Sequence, residues 1–212
     1  MTEATHDRAI RGRFHRWFLS TTEELLEKIH GDRKRALFAK LEGNIVELGP
    51  GTGANCRHYP KGASVIGIEP NLKMHEPLRA NADRHGVDLE IRGLRGESLD
   101  LESDSADAVV CTLVLCSVDD PGQVIGEALR VLKPGGRFVF IEHVAAPAGT
   151  WLRRLQGWVQ RPWTFWFEGC RPNRETARVV EGAGFSRVEL DAFRVKSAFI
   201  HVSPHIAGVA YK

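Results

Sequence analysis

At 212 residues, with 42% hydrophobic and 26% charged side chains, the chain is sized for one globular domain with a substantial core. A net charge of +2 argues against recognition of a polyanion through bulk charge, so no nucleic-acid partner is expected. No apolar run is long enough for a transmembrane segment, the first residues lack a secretory apolar core, and Cys56, Cys111, Cys116 and Cys170 show no paired CxxC spacing. Reduced thiols in a cytoplasmic protein, with neither metal nor disulfides, are the expectation.

Near the N-terminus, Ile10, Phe14 and Trp17 recur at helical spacing among Arg8, Arg11, Arg13 and Arg16. A helix packed over a ligand pocket, an ordinary packed helix and a peripheral membrane contact all fit that pattern. Thr22 to Leu41 reads as helix, interrupted at Gly31-Asp32, so residues 1–41 form an expected N-terminal helical cap. Asn44 to Gly53, NIVELGPGTG, is a buried strand carrying Glu47 that breaks into Gly49, Gly51 and Gly53. Glycine lets a ligand approach the loop backbone closely, and a helix starting near Ala54 would offer unpaired N–H groups behind it.

Ser64 to Pro70, SVIGIEP, is a second strand ending in Glu69, roughly 20 residues beyond the first glycine. That spacing suits an acid bridging two ribose hydroxyls, so the pair of strand ends reads as a nucleoside site. Asn71 caps a helix through His85 in which Pro77 implies a kink or a late start. Val87 to Ile91 is the third strand, followed by a polar loop over Arg92 to Ser98. Ala106 to Leu115, ADAVVCTLVL, is a continuously apolar central strand.

Asp120-Pro121-Gly122-Gln123 starts a helix through Leu132, which Lys133-Pro134-Gly135-Gly136 ends. Arg137 to Val144 is the fifth strand and closes on Glu142-His143. Thr150 to Arg161 is amphipathic, with Trp151, Leu152, Leu155, Trp158 and Val159 on one stripe and a stop before Pro162. With Trp163, Phe165, Trp166 and Phe167 following, residues 145–172 read as an aromatic lid insertion over an apolar substrate. Asn173 caps a helix to Glu181, Phe185 to Val195 is the sixth strand, and Ile206 to Tyr211 is the last.

This order is a single α/β domain, Rossmann-like and doubly wound, with a seven-stranded, mostly parallel sheet and an antiparallel last strand. A glycine loop and a ribose acid are also found in nicotinamide-dependent oxidoreductases, and a non-catalytic nucleoside-binding module would show them too. The Leu-Lys-Pro-Gly-Gly turn and the antiparallel end argue against the oxidoreductase. No Pro-Pro-aromatic motif for a flipped base follows strand four.

The acid-Leu-Gly-x-Gly-x-Gly loop, the Glu-Pro strand end, the apolar fourth strand and the Leu-Lys-Pro-Gly-Gly turn together resemble a class I S-adenosylmethionine-dependent methyltransferase. The strings LGPGTGANCRHYP, VVCTLVLCSV, VLKPGGRFVFIEHVAA, EGCRPNRET and PHIAGVAYK are similar to the methyltransferase-like seven group, the alkyl thiol S-methyltransferases. Pro50 stands where that group more often has cysteine, and the N-terminus lacks the long apolar anchor of its animal members.

The resemblance implies S-adenosyl-L-methionine as cofactor, held by Glu47, Gly49, Gly51, Gly53, Glu69, Pro70, Asn71, Gly96, Glu97, Thr112 and Leu113. Arg95 stands where the superfamily often has an aspartate. It implies methyl transfer to a small molecule, a thiol in preference, with an oxygen or nitrogen on a small aromatic or quinone-type substrate as the alternative. His143 is the candidate base or orienting donor, with His205 second; Cys116, Ser117, Trp166, Arg171 and His205 are the candidate acceptor contacts. Oligomeric state is not specified.

Overall fold

The computed structural model describes residues 24–167, 169–196 and 199–212. The arginine-rich stretch before residue 24 and Glu168 therefore lie outside the described residues. Helix α1 occupies residues 24–38 and runs without a break through Gly31-Asp32. The expected interruption is absent because a single glycine costs a helix only about 1 kcal/mol, which flanking packing offsets.

Seven strands form one sheet in the order β3-β2-β1-β4-β5-β7-β6. β1 (Asn44–Leu48), β2 (Ser64–Ile68), β3 (Asp88–Arg92), β4 (Ala106–Thr112) and β5 (Leu132–His143) pair in parallel. β7 (Pro204–Tyr211) runs antiparallel between β5 and β6 (Arg187–Arg194). Six strands running one way and a reversed last strand match the mostly parallel sheet expected from the sequence, whereas the insertion of β7 between β5 and β6 was not part of that expectation. β5 starts five residues earlier than expected, at Leu132, with a register shift opposite Ala106/Ala108 that absorbs the Pro134-Gly135-Gly136 turn.

Both sheet faces are covered, which explains the unbroken apolar run of β4. Val109 and Cys111 join Val46, Leu48, Phe138 and Phe140 against α3 (Pro121–Val131) and α5 (Thr176–Glu181). Ala108 and Val110 join Ile45, Val65 and Val139 on the other face, against Phe38 of α1 and Leu78 of α2 (Leu72–His85). Each large aliphatic or aromatic side chain buried here contributes about 1.5–3 kcal/mol.

The caps show how local chemistry sets boundaries. Asn71 Oδ1 accepts from Lys73 N at 3.1 Å, and Asp120 Oδ1 accepts from Gly122 N at 2.8 Å and Gln123 N at 3.1 Å. α2 begins at Leu72, with Pro77 inside it rather than delaying its start.

Three expectations need correction. No α-helix follows the glycine loop; a single 3₁₀ turn, Cys56–His58, stands there, closed by Gly53 N to Pro50 O and Cys56 N to Gly53 O. Three glycines carry too little helix propensity, and Tyr59 is already extended before Pro60. α4 spans Trp151–Trp166 and passes through Pro162. Its cap, Thr150, accepts from Arg153 N at 3.2 Å. α5 begins only at Thr176, because the Asn173 side chain donates to Gln160 Oε1 at 2.9 Å instead of capping.

Candidate active site

A cavity of about 570 Å³ opens at the carboxyl ends of β1, β2, β4 and β5. This is where parallel α/β sheets bind ligands, beside the point at which strand order reverses. Gly49, Gly51, Glu69, Pro70, Gly96, Glu97, Thr112, Leu113, Cys116, Ser117, His143 and His205 all line it. Of the residues singled out from sequence, Glu47, Gly53, Asn71, Trp166 and Arg171 do not.

The glycine loop needs its glycines for different reasons. Gly49 has φ of 58°, and a Cβ there would sit 2.6 Å from Val114 Cγ2. Gly53, also at positive φ, faces Asn81 and Leu78 rather than the cavity, so it closes the loop from behind. Leu113 is a non-glycine residue at φ 58°, held there by Leu113 N donating to Ile141 O at 2.8 Å. Such strain costs of the order of 1–3 kcal/mol and persists only where surroundings enforce it.

Glu69 is 6% exposed. Its two oxygens accept from Gly51 N at 3.0 Å and Asn71 N at 2.8 Å. Asn71 thus acts through its backbone on Glu69 and through its side chain on α2. These bonds fix both carboxylate oxygens at the cavity wall.

Glu47 is buried one layer below the cavity, accepting from Asn55 Nδ2 at 2.7 Å and Tyr59 Oη at 2.9 Å. Burial raises its pKa, and the bonds from Asn55 and Tyr59 work against that rise. The cavity wall at this point is Asn55 instead, which also donates to Thr112 Oγ1 at 2.9 Å. Asn55 Oδ1 is a buried acceptor without a partner among the described residues. The sequence reading passed over Asn55; an amide eight residues after a strand acid in a glycine loop was the available signal.

Loop 92–98 is tied down by charge. Arg95 bonds both Glu97 and Asp119, and Glu97 Oε1 accepts from Asp119 N at 3.0 Å. Gly96 packs its bare Cα toward Val124.

The far wall is aromatic, built by Trp163 and Phe167 of the expected lid and not by Trp151, Trp158, Phe165 or Trp166. Trp151 and Trp158 are 62% and 82% exposed, and Trp166 faces outward against Phe165. Trp163 and Phe167, stacked at 3.9 Å, line the cavity with Phe199. The helix turns this way because its inward stripe is anchored by Leu152 and Gln156. Gln156 is fully buried: Oε1 accepts from Ala146 N, and Nε2 donates to the carbonyls of Val144, Pro172 and His201.

Between the halves lies a cluster of thiol and imidazole. His143 Nε2 and Cys170 Sγ are 3.2 Å apart, and Trp163 Nε1 donates to the same sulfur at 3.1 Å. Cys170 is brought here by its chain neighbours. Arg171 N donates to Cys116 O at 2.9 Å, while Arg174 donates to Leu115 O at 3.1 Å and Val118 O at 2.6 Å. Thus Arg174, not the exposed side chain of Arg171, is the structural arginine of this segment.

A bond from Cys170 holds the Cys116 thiol well below its usual range, against burial and with help from His143. Burial lowers His143, and Cys116 and Glu142 together carry it above its usual range. Glu142 is pushed up to about 8 by burial and Cys116, while it accepts from Val114 N at 2.9 Å and Leu115 N at 3.0 Å. It pins the strained strand-four loop; an acid ending a strand of buried apolar residues was its sequence signal.

With that geometry in view, the similarities to known proteins are informative. Residues 46–140 match the methyltransferase domain model. Human thiol S-methyltransferase TMT1A is 36% identical over 92% of this chain and 85% of its own length. Human thiol S-methyltransferase TMT1B is 38% identical over 85% of this chain and 78% of its own. The chain belongs to this methyltransferase family.

A solved S-adenosylmethionine-dependent methyltransferase from Thermotoga maritima superposes with a TM-score of 0.66 at 22% identity, covering 94% of this chain and 99% of that one, which concerns the fold. By its membership of the family, the chain is an S-adenosylmethionine-dependent methyltransferase. The residues fit that donor: Asn55 Oδ1 is an acceptor suited to an ammonium, Glu69 suits the ribose diol, and the Gly49 backbone is bare.

Proposed function

We propose that the methyl acceptor is a small-molecule thiol, making this chain a thiol S-methyltransferase. The human relatives named for that activity support the reading. The observation that carries it is that likeness over most of the chain, and His143, buried yet opening onto the same cavity as Glu69, is the group placed to orient the acceptor.

S-adenosylmethionine, when bound, supplies a methyl group already activated on a sulfonium. Glu69, Asn55 and the Gly49–Gly51 backbone hold that donor, with Pro70, Gly96, Glu97, Thr112 and Leu113 shaping its pocket. Trp163, Phe167 and Phe199 wall the acceptor side and exclude water. The protein's task is alignment, because a thiol ionises near pH 8.5 and needs no strong base. His143 orients the acceptor sulfur and holds it ionised; Cys116, Ser117 and His205 line its approach. A reducing, cytoplasmic setting belongs to the same reading and is supported by four free, buried cysteines. None of the described helices is long and apolar enough to cross a membrane.

The test is incubation with S-adenosylmethionine and matched thiols, phenols and amines, with product masses read out. Thioethers are expected to dominate. Methylated phenols or amines without thioether would overturn the thiol assignment and leave the donor site standing.

A further inference from the structure

We infer that Cys116, His143 and Cys170 form a three-ligand site for a thiophilic divalent cation such as Zn²⁺, with its fourth position open to the acceptor side of the cavity. The second half of this proposal rests on the thiol-acceptor reading above; the first half does not.

The three side chains come from the end of β4, the tip of β5 and the segment after α4, which is why no spacing in the chain announces them. All three are buried, and their ligand atoms lie within 4.8 Å of one another. A tetrahedral ion with Zn–S of about 2.3 Å and Zn–N of about 2.0–2.1 Å needs ligand atoms about 3.6–3.8 Å apart. The 3.2 Å between His143 Nε2 and Cys170 Sγ is a few tenths short of that edge, a shift side chains accommodate. Two thiolates and one neutral imidazole cancel the charge of the ion, so the buried site carries no net charge.

The surroundings suit a metal. Trp163 Nε1 donates to Cys170 Sγ at 3.1 Å, the kind of bond that fixes a ligating sulfur. Backbone bonds hold two of the ligands: Arg171 N donates to Cys116 O and Cys170 N donates to Phe167 O, both at 2.9 Å. All three ligands line the cavity, so the side away from the protein is reachable by a small molecule. Three protein ligands with one open position is the arrangement of catalytic rather than structural zinc.

An acceptor thiol would take that position: its S–H bond breaks, a metal–sulfur bond forms, and the proton leaves to water. The bound site then carries one negative charge facing a cationic donor. Cys116 and Cys170 protons are likewise released to solvent when the ion binds.

Reduced full-length protein is titrated with Co²⁺ in metal-free buffer. One equivalent is expected to give thiolate charge-transfer absorption and the visible bands of tetrahedral Co²⁺. Cys116→Ser and Cys170→Ser should weaken binding at least tenfold, and Cys56→Ser, a buried cysteine outside the cluster, should not. Stabilisation by S-adenosylhomocysteine, read as a thermal shift, reports whether each variant is folded. A small thiol added to the Co²⁺ form should shift the visible bands.

Absence of those bands in folded wild type, or bands unchanged in both serine variants, overturns the site. So does a Cys116–Cys170 disulfide recovered from unreduced protein in place of bound metal. Bands that ignore added thiol overturn the open position alone. Chelated protein that methylates thiols at the full rate sinks the metal's role and spares the thiol reading, whereas methylation of phenols alone by metal-loaded protein does the reverse.

Discussion

Single residues do separable work in this site. Glu69 contributes two acceptor oxygens at a fixed angle, and a charge-assisted bond of this type is worth about 1.5–3 kcal/mol. Glu69→Gln should therefore weaken S-adenosylhomocysteine binding by about 10- to 100-fold in calorimetry. His30 works on stability instead. Burial first, then His205, Lys34 and Arg33, push it down to about 3. An unfolded histidine titrates near 6.5, so below that pH the unfolded chain binds a proton that the folded chain refuses. Stability falls as pH falls through this window, levelling only near 3. From about pH 6.5 to about pH 5 the loss at this one residue is about 2 kcal/mol. His30→Gln should remove most of it, measured as the difference between urea unfolding free energies at the two pH values.

At the scale of elements, α4 shows how one polar side chain can orient a helix. Tryptophans dominate its sequence, yet Gln156 decides which face turns inward, because four backbone groups from three segments converge on it. Gln156→Leu keeps the volume but strands one buried N–H and three buried carbonyls. We expect it to cost at least about 3 kcal/mol in chemical denaturation, with Gln156→Glu no milder, because it sets a buried acceptor against three carbonyls. The same helix shows why an apolar stripe misleads. Trp151 and Trp158 are good apolar residues at the right period, but a large aromatic can remain exposed when a smaller neighbour such as Leu152 fills the groove.

Across the whole molecule, the sheet sets what can meet. β7 threads between β5 and β6, pairing His205 with His143 across one strand boundary and with Phe193 across the other. Gly208 makes that insertion fit: a Cβ there would run into the Glu189 carbonyl oxygen and lie 3.0 Å from Phe140 Cζ. Gly208→Ala should lower the melting temperature strongly, whereas Gly126→Ala on α3, where a Cβ meets nothing, should leave it unchanged or raise it. Equal melting temperatures for the two variants would remove this explanation of the strand order.

The succession of strands, the mostly parallel sheet with a reversed last strand, the glycine loop beside a strand-tip acid and the caps at Asn71 and Asp120 were readable along the chain, because each follows from contiguous residues; the insertion of β7 between β5 and β6 was not. The thiol–imidazole cluster, the segment that carries Cys170 and the part played by Asn55 were not. Asn55, Trp163, Cys170 and Arg174 acquire their roles from partners that are 57, 7, 27 and 59 positions away, respectively Thr112, Cys170, His143 and Leu115. Local propensity and periodicity describe neighbours within a few residues. Contacts between strand tips and returning loops depend on how the sheet is ordered, and only the folded chain brings two separated thiols and an imidazole to one point.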